Sequence, residues 1–293
     1  MKEIVKPVII LGNIRSGTTI LYNIMSLHPQ LCWFSNYSNR FPGMPQAALL
    51  HRLLDLPVLG TRFKIGISRN QPPALPCPWP SEGDNIYHNY CGFGKQKDGI
   101  ERVLTEQMSS RLRGQVRMHL KYTGKSRFVT KQTANNRRIE IIDEVFPDAL
   151  YIHIIRDGRA VANSTLKVPW WDSTNIWWLG YTPAEWKSRG REPAELAALY
   201  WRRNVEEIRR QGDLLGGRYL EIRYEDLVKD VRSVIENLLD FCELDKPPEY
   251  MELIPQSLPD RNRKWRSRLS REQVEAVQHS VGEFLEELGY TDS

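Results

Sequence analysis

Two glycines, three hydroxyls and one guanidinium fall together in Gly12-Asn13-Ile14-Arg15-Ser16-Gly17-Thr18-Thr19, directly after the apolar run Val8-Ile9-Ile10-Leu11. A strand, a glycine-bounded turn and a helix start aim backbone N–H groups and a helix N-terminus at one point, which is how proteins cradle phosphate or sulfate. Gly12, Gly17 and Thr19 fit the nucleotide-binding spacing GxxxxGK[ST], but Thr18 stands where an NTPase keeps its lysine. The cation sits earlier, at Arg15, a placement that suits a shorter anionic chain than a triphosphate. A second group, Arg156-Asp157-Gly158-Arg159 with Ser164 about two helical turns on, follows the apolar run Ala149-Leu150-Tyr151-Ile152-His153-Ile154-Ile155. Two cations at a helix start, at the carboxyl end of a strand, again read as an anion site.

Both loops need a strand before them and a helix after them, and the pattern supplies these. Val8 to Leu11, Arg127 to Lys131, Ala149 to Ile155 and Arg218 to Arg223 read as strands, the third nearly continuously apolar as a strand buried on both faces should be. Helices are expected over Thr18 to Ser26, Gln46 to Leu54, Ile100 to Leu120, Arg138 to Val145, Gly158 to Thr165, Ala194 to Arg210, Val228 to Phe241 and Ser270 to Leu288. Strands alternating with helices predict an α/β fold, three layers around a central parallel sheet. The 293 residues read as one domain with helical and loop insertions at about 27–125 and 166–193. The run Gln71 to Pro80 is too rich in proline for helix or central strand.

Composition narrows the ligand. The chain carries 41 Lys and Arg against 36 Asp and Glu, a formal charge of +5, which suits an anionic small molecule and is too mild to require nucleic acid. Cys32, Cys77, Cys91 and Cys242 fall in no metal-binding spacing and make no disulfide framework, so reduced thiols and no metal site are expected. The apolar run at Val8 is far shorter than the roughly 20 residues that span a bilayer, and no targeting segment is visible, so a cytoplasmic protein without a membrane span is expected.

With these residues in view, Arg15-Ser16-Gly17-Thr18-Thr19 resembles the 5′-phosphosulfate loop of the sulfotransferase family, which reads [K/R]-[S/A/G]-G-T-[T/S] after a strand. The bacterial and membrane-bound branches look closer than the cytosolic arylamine branch. Arg156 to Ser164 is similar to the family's 3′-phosphate signature R-D-P-R-A-V-x-x-S, with Gly158 in place of the proline, and Tyr224-Glu225-Asp226-Leu227 resembles its Y-E-D-L segment. The resemblance implies a P-loop-like fold and 3′-phosphoadenosine 5′-phosphosulfate as co-substrate, with the bisphosphate as product. Arg15, Ser16, Gly17, Thr18 and Thr19 would hold the 5′-phosphosulfate, Arg156 and Ser164 the 3′-phosphate, and Tyr224 would approach the adenine. The basic loop Asp260 to Arg266 falls where the family closes over the 3′-phosphate; it keeps Trp265 and positive charge, offering Arg261, Arg263 and Lys264.

The implied reaction moves a sulfuryl group to a hydroxyl of a carbohydrate, lipid or other small molecule, with Arg15 neutralising the departing phosphate oxygen. Lys131, at a strand end, resembles the family's second cation near the transferred sulfate. For the general base, Glu82 resembles a P-x-E segment of bacterial relatives and comes first; His88 comes second. His51 and His279 read as helix-surface residues. Trp170, Trp171, Trp177, Trp178, Tyr181 and Trp186 read as an acceptor pocket or lid, or alternatively as a packed sub-core under a long loop. Two rival readings stay open: a P-loop kinase of a small molecule, and a non-catalytic nucleotide- or RNA-binding protein.

Overall fold

Alternation of side chains along a strand explains how the central strand β1 (Val8–Leu11) can be buried throughout: Val8 and Ile10 pack into the apolar layer on one face, Ile9 and Leu11 into the layer on the other. The computed structural model describes residues 3–72, 76–93 and 104–291. Five parallel strands form the sheet: β1, β2 (Leu31–Cys32), β3 (Arg127–Lys131), β4 (Leu150–Ile155) and β5 (Tyr219–Arg223), in the order β2-β3-β1-β4-β5. The central strands β3, β1 and β4 are buried along their whole length, while edge strand β5 is half-buried.

One face is covered by helices Thr18–Ser26 and Val231–Phe241, the other by Glu106–Thr123 and Ile139–Val145, giving the expected three layers. A third apolar cluster joins Pro193–Gly212 and Arg271–Glu287 to Gly158–Thr165. After β3 the chain passes over β1 to β4, so the order reverses around β1, and the loops after β1 and β4 open side by side at the carboxyl edge.

Three expectations change. The region read as insertion supplies β2, which pairs with β3 through Leu31 and Cys32, so the sheet itself reaches into it; two residues are too few to show a strand period. The helix expected from Ile100 runs Glu106–Thr123, started by the Thr105 hydroxyl accepting from Met108 N–H, and residues 100–103 lie outside the described part. The helix expected over Val228 to Phe241 is two, Tyr224–Lys229 and Val231–Phe241, broken at Asp230, whose side chain caps the second.

Candidate active site

Backbone conformation builds the first loop. Gly12 has φ 147° and a side chain there would lie 2.6 Å from the Ile154 carbonyl oxygen; Gly17 has φ 93° and a side chain there would lie 2.5 Å from the Tyr224 ring. Between them Arg15 takes a left-handed φ of 67°, a conformation uncommon for a side-chain-bearing residue. Asn136, from the turn after β3, fixes the start of the loop: its amide oxygen accepts from Gly12 N–H at 3.1 Å and its amide nitrogen donates to Gly12 O at 2.9 Å. No side chain caps the N-terminus of Thr18–Ser26, so its first N–H groups are open to an anion. Beside them the Ser16 hydroxyl is buried without a protein partner.

The second loop closes on the first. Arg156, just past β4, donates from Nη1 to the Arg15 carbonyl at 2.9 Å and from Nε to Asn262 Oδ1 at 3.0 Å, with its guanidinium 4.2 Å over the Tyr224 ring. Burial lowers its pKa, but a guanidinium keeps its charge. Arg15 in turn donates from Nε to the Ser164 hydroxyl at 2.8 Å. Arg159 belongs to the scaffold instead: it is buried, its Nε donates to Asp157 Oδ1 at 3.0 Å, and it lies 4.7 Å over the Trp265 ring. Gly158 replaces proline for a packing reason, since a side chain there would lie 2.4 Å from the Trp201 ring.

These elements enclose a cleft of about 700 Å³. Arg15, Arg69, Arg156, Lys167, Arg261, Lys264 and Arg268 line it, and among the described residues no carboxylate does. Desolvation, with the neighbouring Arg268 and Lys264 adding to it, pushes the Lys167 pKa down. The sequence reading missed Arg69, Lys167 and Arg268, which sit in no motif, and Asn262, which orients Arg156. It placed Arg263 with Arg261 and Lys264; Arg263 instead lines a separate depression with Arg159 and Arg223.

Lys131 and Glu82, 49 residues apart, meet: Lys131 Nζ donates to Glu82 Oε1 at 2.6 Å, with the lysine side chain 5% exposed and the glutamate 31%. The Glu82 loop is docked by Ser81 N–H donating to Phe34 O at 2.8 Å and by the Tyr22 hydroxyl donating to Ser81 O at 3.1 Å. Gln132 adds a bond from its amide nitrogen to Asp84 Oδ1 at 3.0 Å. His88 stands apart, exposed on helix Asp84–Cys91. His51 is not the surface residue expected: it is buried, its ring centroid 3.9 Å from that of Trp33.

The tryptophan-rich stretch resolves largely into a packed sub-core. Trp171 and Trp186 are buried beside Trp201, with Trp178 and Tyr181 packed against them, and Trp170 alone of the group lines the cleft.

A profile described as the sulfotransferase family matches residues 7–248. Omega-hydroxy-beta-dihydromenaquinone-9 sulfotransferase Stf3 of Mycobacterium bovis is 24% identical over 317 aligned positions, covering 97% of this chain and 75% of that protein, and the Mycobacterium tuberculosis protein of the same name matches equally. Among solved structures, sulfotransferase STF9 from Mycobacterium avium superposes with a TM-score of 0.59 at 17% identity, covering 97% of this chain and 77% of that one. Sulfotransferase STF1 from Mycobacterium tuberculosis gives a TM-score of 0.60 at 14% identity, with 96% and 77% covered. These likenesses agree with the three-layer sheet, and the profile decides the class against a kinase. The chain belongs to the sulfotransferase family and is an enzyme of that type.

Proposed function

We propose that this enzyme moves the sulfuryl group of 3′-phosphoadenosine 5′-phosphosulfate to a hydroxyl of a lipid-like acceptor, in the cytoplasm. The observation that carries the donor is the joining of two anion loops at Arg15, which donates to Ser164 while its own carbonyl accepts from Arg156, on the wall of a cleft lined by cations. The unpartnered Ser16 hydroxyl and the open helix N-terminus fit the 5′-phosphosulfate, together with Gly17, Thr18 and Thr19. Arg156, Ser164, Arg261 and Lys264 fit a second phosphate, and Tyr224, which lines the cleft beside Gly17 and Arg156, fits the adenine. The lipid-like acceptor is supported by the relative whose name gives a menaquinone derivative as its substrate. The compartment is supported by four free, buried cysteines.

In the reaction the acceptor oxygen forms a bond to sulfur as the bond from sulfur to the phosphate oxygen breaks, and the hydroxyl proton goes to Glu82. Glu82 is presented for this by its loop, which is docked on Phe34 O and Tyr22, and by the contact of its Oε1 with Lys131 Nζ. Lys131 and Arg15 balance the charge on the transferred and departing oxygens, a task of positioning and electrostatics. Removing such a base costs about 10²- to 10⁴-fold in rate. Glu82→Gln should therefore lower kcat by at least about 10²-fold with donor affinity unchanged, while His88→Asn stays near the parent. Labelled-sulfate transfer and calorimetry with 3′,5′-adenosine bisphosphate measure the two quantities; an unaltered kcat in Glu82→Gln refutes this role. Long-chain prenyl alcohols should turn over faster than sugars or phenols in the same assay.

A further inference from the structure

Ten large hydrophobic residues are exposed among the described residues, and seven of them, Phe41, Met44, Leu49, Leu50, Leu56, Val58 and Ile65, fall between residues 41 and 65. Solvent-facing sides of helices are normally polar. Here the 3₁₀ helix Pro45–Asp55 and the helix Leu59–Ser68 bury an inner side through Ala48, Leu54, Phe63 and Ile67, and leave an outer side that is apolar as well. Val58, at the turn between them, is 86% exposed and adopts φ 46°, a costly conformation for a β-branched residue.

Charge says what such a face meets. Residues 36–72 contain Arg40, Arg52, Arg62, Lys64 and Arg69 against the single carboxylate Asp55, and so hold four of the five excess positive charges of the whole chain. Among the described residues none of these five cations is in an ion pair. Exposed apolar side chains interleaved with unpaired cations are complementary to the headgroup region of an anionic bilayer, where the first bury and the second meet phosphate. Among the described residues no helix is long and apolar enough to cross a membrane, so contact of this kind is peripheral. The face also runs into the site: the chain leaving Leu59–Ser68 supplies Arg69, Asn70 and Gln71 to the cleft wall, and Asn23 holds Asn70 by an amide hydrogen bond of 3.0 Å.

We propose that residues 41–65 are a docking face for an anionic phospholipid bilayer, which seats the mouth of the cleft against the membrane so that an acceptor dissolved in the lipid reaches it. This deepens the lipid-acceptor reading, and its test uses neither donor nor acceptor, so the two can fail separately. The full chain should sediment with vesicles of equal parts phosphatidylglycerol and phosphatidylcholine, bind vesicles of phosphatidylcholine alone much more weakly, and be released by added salt. Leu49→Glu with Val58→Glu, and separately Arg52→Glu with Arg62→Glu, should each lower the partition coefficient by at least about tenfold. Far-UV circular dichroism and Tm should match the parent in both, which shows that the variants are folded. Equal binding of parent and variants, or no binding to the anionic vesicles, overturns the proposal. So does sedimentation velocity showing a dimer that Val58→Glu splits, since the face would then be covered by a second copy of the chain.

Discussion

Arg156 is tied to the Arg15 carbonyl, to Asn262 and to the Tyr224 ring, so it both shapes the first loop and offers charge to the cleft. The two roles separate by ligand. A charge-assisted hydrogen bond contributes about 1.5–3 kcal/mol, so Arg156→Ala should weaken binding of 3′,5′-adenosine bisphosphate by about 10- to 100-fold. Binding of AMP, which lacks the 3′-phosphate, should change much less; calorimetry with both ligands checks this, and equal losses would assign Arg156 to the scaffold alone. At this scale the sequence showed which residues could grip an anion but not how they divide the work. Arg159 looked like a second cation for the ligand, yet Asp157, two residues away, already neutralises it. Gly158 stands where the family's signature has proline, and the ring that forbids a side chain there belongs to Trp201, from another helix.

The cradle depends on the turn after β3 as much as on its own glycines. Asn136 satisfies both backbone groups of Gly12, and removing it leaves a buried N–H and C=O without partners. Asn136→Ala should cost about 1–3 kcal/mol of stability. It should also weaken nucleotide binding, because the loop start is freed; urea unfolding and bisphosphate titration read the two effects, and unchanged affinity would make the clamp merely structural. Nothing in the sequence near Asn136 marks it, since Gly12 is 124 residues away. The break at Asp230 was different: an acidic residue before Val231 is a local helix-start signal, and the continuous apolar period across it concealed the cap. β2 escaped because an edge strand of two residues carries no period.

Across the whole molecule, buried titratable groups set the pH response. His51 and His119 are almost fully buried, and burial, the largest cause for both, holds their pKa at about 3 and about 4 against an ordinary 6.5. His28 and His153 are lowered by burial too. A histidine with a depressed folded pKa stabilises the fold fully above 6.5, and that stability is lost as pH falls toward the folded value, because the unfolded chain takes up the proton first. His51 and His119 should each cost about 2 kcal/mol by about pH 5. Glu221 adds a lower window: burial raises its pKa, but Arg209 and His153 outweigh it and hold it at about 2 against 4.5, so its contribution fades between those values. Scanning calorimetry should show Tm falling from about pH 7 to about 5, with a shallower slope in His119→Gln; a Tm level through that range would show that these rings do not stay neutral. The sequence by itself determined the two strand-turn-helix loops, the parallel sheet and the family, because period, glycine placement and loop spacing are written within a few neighbouring residues. Only the tertiary structure decided that Lys131 pairs with Glu82, that Arg15 reaches Ser164, and that most of the tryptophans are core. Those partners lie on different crossovers of the sheet, and which side chains meet is fixed by how the layers pack.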